Sequence, residues 1–278
     1  MRQTYSIVFL DIDGTLLDSH RNISANTKQI INRLDKRGVP VVLCSARCPN
    51  GIGFVAKQIE LHNSPIICYG GSLILDSDRS ILLDTGMAVP VAIRFKQFVD
   101  KYFSDVSLCS YLYNIWLVDD ADNPDFKYEA EAVNCQPTEG DLIAATQTLH
   151  HVHKILCISS PHRIIELQKA AAPLFPELAL QCSGPTYLEV TTKDVSKRTA
   201  VQVLQERYHL DRENIVACGD HFVDMEMLQY AGLGIAMGNA PEEVQATADQ
   251  VTASNDEDGV YIALKRLQFT PLISPTRR

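Results

Sequence analysis

Tyr5-Ser-Ile-Val-Phe-Leu-Asp-Ile-Asp-Gly-Thr-Leu16 is the stretch whose reading decides the fold. Tyr5 to Leu10 is a short apolar run rich in aromatic and β-branched residues, and it stops at Asp and Gly. That pattern predicts a buried strand. Beyond it, Ile23 to Arg37 carries apolar residues at 23, 30, 31 and 34, with Gly38 just past the end, which predicts a helix with a glycine stop. Val39 to Cys44 reads as a second buried strand, residues 51–61 as a short helix and Pro65 to Tyr69 as a third strand. Strand and helix alternating in this way predict a parallel α/β sheet.

Near residue 70 the pattern changes. Strand-like runs at 72–75, 80–83, 107–113 and 115–118 lie too close together for helical crossovers, so antiparallel pairing is expected. Helical stretches are expected at about 90–104 and 161–172, with a strand over Lys154 to Ser159. The α/β alternation resumes at Tyr187. A helix is expected over Val195 to Tyr208, a strand over Asn214 to Cys218, a helix over Val223 to Ala231 and a strand over Gly232 to Ala236. Helices over Glu242 to Ala248 and about 257–268 follow, then a frayed tail from Thr270 to Arg278. The expected organisation is a parallel core over 1–84 and 188–278, interrupted by an α+β module over 85–187.

The 278 residues are 46% hydrophobic and 21% charged, close to the globular average, which excludes disordered and collagen-like classes. No apolar run approaches the ~18 residues of a membrane span. The N-terminus lacks the apolar stretch and small-residue cleavage site of a secretory signal, so a cytoplasmic protein is expected. With 25 basic and 34 acidic residues the net charge is -9. Such a chain gains nothing from the general phosphate attraction that drives nucleic-acid binding. A phosphorylated ligand must be held by local cations or a metal. The eight cysteines form no C-x-x-C pair and mostly sit in apolar runs, as buried thiols of a reducing compartment do.

Ligands of open α/β sheets bind at the carboxyl ends of the strands. Asp11 and Asp13, followed by Gly14, stand at such an end. A surface Asp-Gly turn is the alternative. An EF-hand fails on spacing: glycine is fourth rather than sixth, and Asn22 stands in twelfth place where a Glu is needed. Gly219-Asp-His-Phe-Val-Asp224 follows another buried strand. Asp11, Asp13, Asp220 and Asp224 can converge, and four carboxylates in a small volume need a cation. A hard divalent ion such as Mg2+ fits oxygen ligands. Taken alone, Asp220 and Asp224 also fit as helix N-terminal acids. Ser45-Ala46-Arg47 after the second strand can bind a phosphate oxygen through hydroxyl and backbone N–H, or Ser45 can be a helix cap. Lys197 is expected in the first turn of a helix, where the dipole disfavours a cation, so a nearby anion explains it better.

These four elements in this order resemble the haloacid dehalogenase-like hydrolases, most closely the Cof-type phosphatases, which carry a cap inserted between the second and third motifs. The resemblance extends through Ala231-Gly-Leu-Gly-Ile-Ala-Met-Gly-Asn-Ala240 and Val251 to Gly259. It implies a Rossmann-like core with helices on both faces of the sheet and an α/β cap. Asp11 would then be a nucleophile that forms an aspartyl-phosphate. Asp13 would be general acid for the leaving alcohol and then base for water. Mg2+ would be held by the Asp11 side chain, the Asp13 carbonyl and Asp220, with Asp224 in support. Ser45, Ala46, Lys197 and the Ile12 N–H would hold the phosphoryl group, and Arg47, Gly71, His221 and Asn239 would lie near the substrate. The implied substrate is a small phosphorylated metabolite, sugar phosphates first, acted on by a monomer or small homo-oligomer with neither nucleic acid nor membrane as partner. A phosphotransferase or mutase, and a weakly active phosphosugar sensor, are the alternatives. Two positions depart from the family pattern: Val223 and Gly70 stand where Asn is usual.

Other signals are set aside. In Gly232-Leu-Gly234-Ile-Ala-Met-Gly238 the third glycine comes one residue late for a dinucleotide loop, and no phosphate-binding P-loop pattern occurs. His151 and His153 would share a strand face, but no third ligand is near in sequence, so a solvated or partly buried cluster is expected rather than a metal site. Tyr111, Tyr113 and Trp116 read as core or sheet-face residues.

Overall fold

Alternating apolar runs and amphipathic segments build the elements of the first stretch of chain in this computed structural model, which describes residues 3–133, 135–145 and 150–272. They are β1 (Ile7–Asp11), α1 (Ala25–Lys36), β2 (Val41–Cys44), α2 (Pro49–Gln58), β3 (Ile66–Cys68), β4 (Leu73–Leu75) and β5 (Ile81–Asp84). The middle stretch carries β6 (Met87–Ala88), α3 (Val89–Tyr102), β7 (Ser107–Leu112), β8 (Ile115–Val118), α4 (Pro124–Val133), β9 (Thr138–Glu139) and α5 (Leu142–Ala145). It continues with β10 (His151–Val152), β11 (Lys154–Ile158), α6 (Pro161–Ala171), β12 (Leu178–Gly184) and β13 (Tyr187–Thr192). The last stretch holds α7 (Lys197–Arg207), β14 (Ile215–Gly219), α8 (Met225–Tyr230), β15 (Leu233–Ala236), α9 (Glu242–Gln245), β16 (Gln250–Val251) and α10 (Gly259–Leu264).

Eight strands form one sheet in the order β16-β15-β14-β1-β2-β3-β4-β5. From β16 to β3 every pairing is parallel, and β4 turns back antiparallel to β3. The sheet is covered on both faces. Ile7 and Phe9 pack with Val201 and Leu204 of α7 and Met227 and Leu228 of α8, while Val8 and Leu10, pointing the opposite way, are also fully buried. The expected α/β class with a Rossmann-like parallel core is what the chain adopts. α1 begins where Ser24 Oγ accepts the Thr27 N–H at 3.1 Å, and it buries Ile30, Ile31 and Leu34. Each such side chain contributes about 1.5–3 kcal/mol when fully buried.

The second sheet, β12-β13-β11-β7-β8-β9, is antiparallel except for the β8–β9 pair. Its core joins Phe95 and Val99 of α3 and Ile164 and Leu167 of α6 to Ile155, Cys157, Leu188 and Val190. Trp116 stacks on Tyr111 with centroids 5.7 Å apart, both buried, as core residues. The histidine cluster has one shared partner: Asp84 Oδ1 lies 3.0 Å from His151 Nδ1 and 3.1 Å from His153 Nε2.

The chain divides into two compact units. One comprises residues up to 46, 52–83 and from 196 onward; the other comprises 47–51 and 84–195. The second crossing lies after Val195 rather than at 187, because β13 pairs with β11 and β12 in the second sheet. β12, α4, α5 and the two-residue strands were not expected from the sequence. The tail, expected to fray from Thr270, is tied at its start: the Thr270 N–H donates to Tyr5 O (2.8 Å) and the Leu272 N–H to Gly38 O (2.9 Å). The remainder of that expectation, 273–278, lies outside the described residues. α10 covers only 259–264 of the expected 257–268: a separate 3-10 turn over 255–257 precedes it, and past Leu264 the chain turns, with the Leu267 N–H donating to Leu264 O (3.2 Å).

Candidate active site

Parallel register brings the motifs to one edge of the sheet. Leu10 of β1 lies opposite Cys218 of β14, and Asp11 lies opposite Cys44 of β2. Asp11, Ser45 and Asp220 therefore leave three adjacent strands at the same end. Phe222–Asp224 forms a single 3-10 turn that returns Asp224 to this edge. Its Oδ2 accepts the N–H groups of Asp220 (3.1 Å) and His221 (3.0 Å).

Lys197 arrives on the first residue of α7. The helix start is fixed by Ser196: its Oγ accepts the Thr199 N–H at 3.2 Å, and Thr199 Oγ1 accepts the Ser196 N–H at 3.1 Å. From there Lys197 Nζ donates to Asp224 Oδ1 at 2.6 Å and to Asp11 Oδ1. Lys197, Asp11 and Asp224 are all buried, with Asp224 at 0% exposure. Asp11, Asp220 and Asp224 each place a carboxylate oxygen within 4.8 Å of the others.

Burial pushes the Asp11 carboxyl well up; Lys197 opposes this and the charges of Asp224 and Asp220 add to it. Asp220 is likewise raised by burial, which outweighs the hydrogen bond from Thr15. Burial works against the Lys197 ammonium, yet Asp11 and Asp224 outweigh it and hold its pKa up. One ammonium thus faces three carboxyl groups, two of them under pressure to protonate. The donor set is hard oxygen with a surplus of negative charge, which suits a divalent cation such as Mg2+.

Two glycines make the close packing possible. At Gly14 (φ +83) a Cβ would sit 2.3 Å from Asp220 Oδ2, and at Gly71 (φ +124) it would sit 2.4 Å from the Ser196 carbonyl oxygen. Gly71 thus lets the turn after β3 rest on the cap of α7. Thr15 Oγ1, which sequence reasoning missed, donates to Asp220 Oδ1 at 2.7 Å. Its position directly after Asp-x-Asp-Gly was the available signal.

Of the expected residues, Asp11, Lys197, Asp220 and Asp224 form the cluster. Ser45 is buried one residue past β2, Ile12 is buried, and Ala46 is exposed. The Asp13 side chain is exposed and stands outside the carboxylate trio. Asn239 clamps the first loop: its Nδ2 donates to Gly14 O (2.8 Å) while its Oδ1 accepts the Asn255 N–H (3.0 Å). His221 is exposed, with its ring edge-on to Phe222. Arg47 is half-buried and belongs to the second compact unit.

A carboxylate held by a buried ammonium, with two more carboxylates beside it, thus stands at the carboxyl end of a central parallel strand, where ligands of open α/β sheets bind. The sequence profile of the haloacid dehalogenase-like hydrolases matches residues 8–264, and the chain belongs to that family, as a Cof-type phosphatase. A Haemophilus influenzae relative is 33% identical over 261 residues, covering 94% of this chain and 97% of its own. The Bacillus subtilis 5-amino-6-(5-phospho-D-ribitylamino)uracil phosphatase YitU is 28% identical, covering 93% of this chain and 96% of its own. A haloacid dehalogenase-like hydrolase from Bacteroides thetaiotaomicron superposes with a TM-score of 0.87 at 27% identity, over 95% of this chain and 99% of that one. Among the described residues no helix is long and apolar enough to cross a membrane.

Proposed function

We propose that the chain is a Mg2+-dependent phosphatase of small phosphorylated metabolites, with a sugar or polyol phosphate as substrate and an aspartyl-phosphate as intermediate. The observation that carries this reading is the buried Asp11–Lys197–Asp224 arrangement. Lys197 holds the Asp11 carboxylate in place and offers positive charge to the equatorial oxygens of the transferring group. An Asp11 oxygen attacks phosphorus as the bond to the leaving alcohol breaks. Asp13, whose side chain reaches solvent, gives that alcohol a proton and later takes one from the hydrolytic water. Ser45 and the Ile12 and Ala46 backbone hold phosphoryl oxygens. Asp11, Asp220 and the Asp13 carbonyl would hold the metal, with Asp224 orienting both Lys197 and the loop at 220–221. When bound, Mg2+ supplies charge that lets an anionic carboxylate approach a phosphate dianion. The inserted module over 84–195 selects the leaving group, and the protein works in the cytoplasm as a monomer or small homo-oligomer. A relative named for a 5-phospho-D-ribitylamino substrate supports phosphate on a polyol chain.

The test is phosphate release from a panel of sugar and polyol phosphates, with Mg2+ and with EDTA, for wild type and Asp11→Asn. Metal-dependent release that Asp11→Asn abolishes, while the fold persists, is expected. Full activity in Asp11→Asn, or no release from any ester by folded wild type, would overturn the reading.

A further inference from the structure

Six of the eight cysteines are buried, one of them Cys48; Cys135 is half-buried and Cys182 exposed. Cys48 is unlike the other buried thiols. It directly precedes α2, with Pro49 as the first helical residue, and its Sγ accepts the Gly51 N–H at 3.4 Å. The sulfur thus caps a ten-residue helix at the end whose partial positive charge favours an anion. Its other neighbour is Cys135 Sγ, hydrogen-bonded at 3.9 Å from a position 87 residues along the chain. Both residues belong to the same compact unit.

We propose that Cys48 and Cys135 are a site of reversible oxidation, closing to an intramolecular disulfide when the protein meets a peroxide. The two sulfurs already lie 3.9 Å apart, and a disulfide needs them to close to about 2.05 Å. The neighbouring Cys135 thiol, with the Gly51 and Asn50 N–H groups and the charge of Lys154, outweighs burial and lowers the Cys48 thiol to about 6. The same contact, together with burial, raises Cys135. Cys48, whose sulfur accepts an N–H at the start of α2, is the nucleophile, and Cys135 beside it is the resolving thiol. By contrast, burial pushes Cys44 and Cys157 up, and raises Cys109 and Cys218 to about 12, so these stay inert.

The step balances. The Cys48 thiolate attacks one peroxide oxygen, the O–O bond breaks, and Cys48 becomes a sulfenic acid with release of hydroxide. The Cys135 sulfur then attacks Cys48 Sγ; the sulfenic hydroxyl leaves, and the Cys135 proton and one from solvent complete two waters. In sum, two thiols and one hydrogen peroxide give a disulfide and two waters, and a dithiol reductant reverses it. The modification falls three residues beyond Ser45 and removes the anionic cap of α2.

The test is peptide mapping of the full chain after hydrogen peroxide, with free thiols blocked by N-ethylmaleimide. The expected result is a Cys48–Cys135 linked peptide, 2 Da lighter than its two thiol parts, in monomeric protein, lost on dithiothreitol treatment. Cys135→Ser should instead leave a sulfenic acid on Cys48 that dimedone traps. Cys48→Ser, which keeps an oxygen acceptor at the cap, should give neither product. Both cysteines alkylated after peroxide while Cys182 is oxidised, or dimedone on Cys135 in the Cys48→Ser variant, would overturn the proposal. Mass is the readout, so the result stands apart from any assay of phosphatase activity, and the wild-type map decides even if a variant fails to fold.

Discussion

Replacing Lys197 by Met is the sharpest probe of how the site is held. The substitution keeps the length and apolar stem of the side chain and removes only the ammonium that binds Asp11 and Asp224. Two buried carboxylates within 4.8 Å of each other then lack their cation. At an effective dielectric near 20, unit charges at that distance repel by about 3–4 kcal/mol. Removing one partner of a buried pair costs about 3–5 kcal/mol. For a unit of this size that is a drop in melting temperature on the order of 10 °C. The pH dependence has a definite sign. Asp11 already sits above its ordinary value, so between that value and the folded one the native state binds more protons than the unfolded chain, and stability falls as pH rises. Losing Lys197 removes the charge that holds the Asp11 carboxyl down and so pushes it higher still, and the penalty is smaller at pH 5.5 than at pH 8. Mg2+ at 100 times its dissociation constant would return about 2.7 kcal/mol. Calorimetry of wild type and Lys197→Met in EDTA and in Mg2+, at both pH values, reads all three quantities. A variant within 2 °C of wild type in EDTA at pH 8, or a penalty larger at acid pH, would refute the reasoning (roughly 1 kcal/mol or less on the same scale).

Four other outcomes follow from the structure. Gly71→Ala should cost more than about 3 kcal/mol in urea unfolding, through both its φ and the Ser196 carbonyl, while Gly70→Ala, with φ +68 and nothing within 4 Å of its Cβ, should cost about 1 kcal/mol. Thr15→Val should weaken Mg2+ activation by about 10–100-fold with little change in fold, because it frees the oxygen of Asp220 that Thr15 now orients. His153 is buried and its pKa is lowered by that burial, which the charge of Asp84 only partly offsets; the native state therefore binds fewer protons than the unfolded chain just below pH ~6.5, and stability is lost on acidification. His153→Gln should flatten that part of the stability–pH curve, and an unchanged slope would assign the acid loss elsewhere. Val223→Asn should raise kcat/KM by about 10–100-fold if the new amide reaches phosphate, with stability within about 0.5 kcal/mol of wild type; unchanged kcat/KM would mean that the amide does not reach it.

What the sequence made legible follows from where each element lies. β1, β2 and β14 are buried on both faces, so they read as unbroken apolar runs, and the acidic motifs at their ends stood out against them. β12 did not, because Leu-Ala-Leu-Gln-Cys-Ser-Gly has no β-branched residue and forms an exposed sheet edge. α4 rests on Phe126 and Ala130 alone among its described buried side chains, one narrow contact four residues apart, too little to register as a periodic face. Thr15 and Asn239 were opaque for another reason. Their roles are hydrogen bonds to residues 205 and 225 positions away, and local pattern carries no trace of such a partner. Cys48 and Cys135 show the same limit, since both were read as ordinary thiols.

The two departures from the family pattern bear on how this site can have diverged. Gly70 sits at φ +68 with open space where a Cβ would go, a conformation that Asn tolerates. Val223 is 41% exposed on a turn whose next residue, Asp224, is anchored by Lys197 and two backbone N–H groups. Neither residue is among those whose side chains form the charged cluster. The frame that holds Asp11, Lys197, Asp220 and Asp224 is therefore independent of what stands at 70 and 223. Exchange at these positions changes only what the side chains themselves can touch. Selection could alter the reach toward the ligand at 70 and 223 without rebuilding the charged centre, whereas any change at Gly14, Gly71 or Ser196 would disturb the cluster itself.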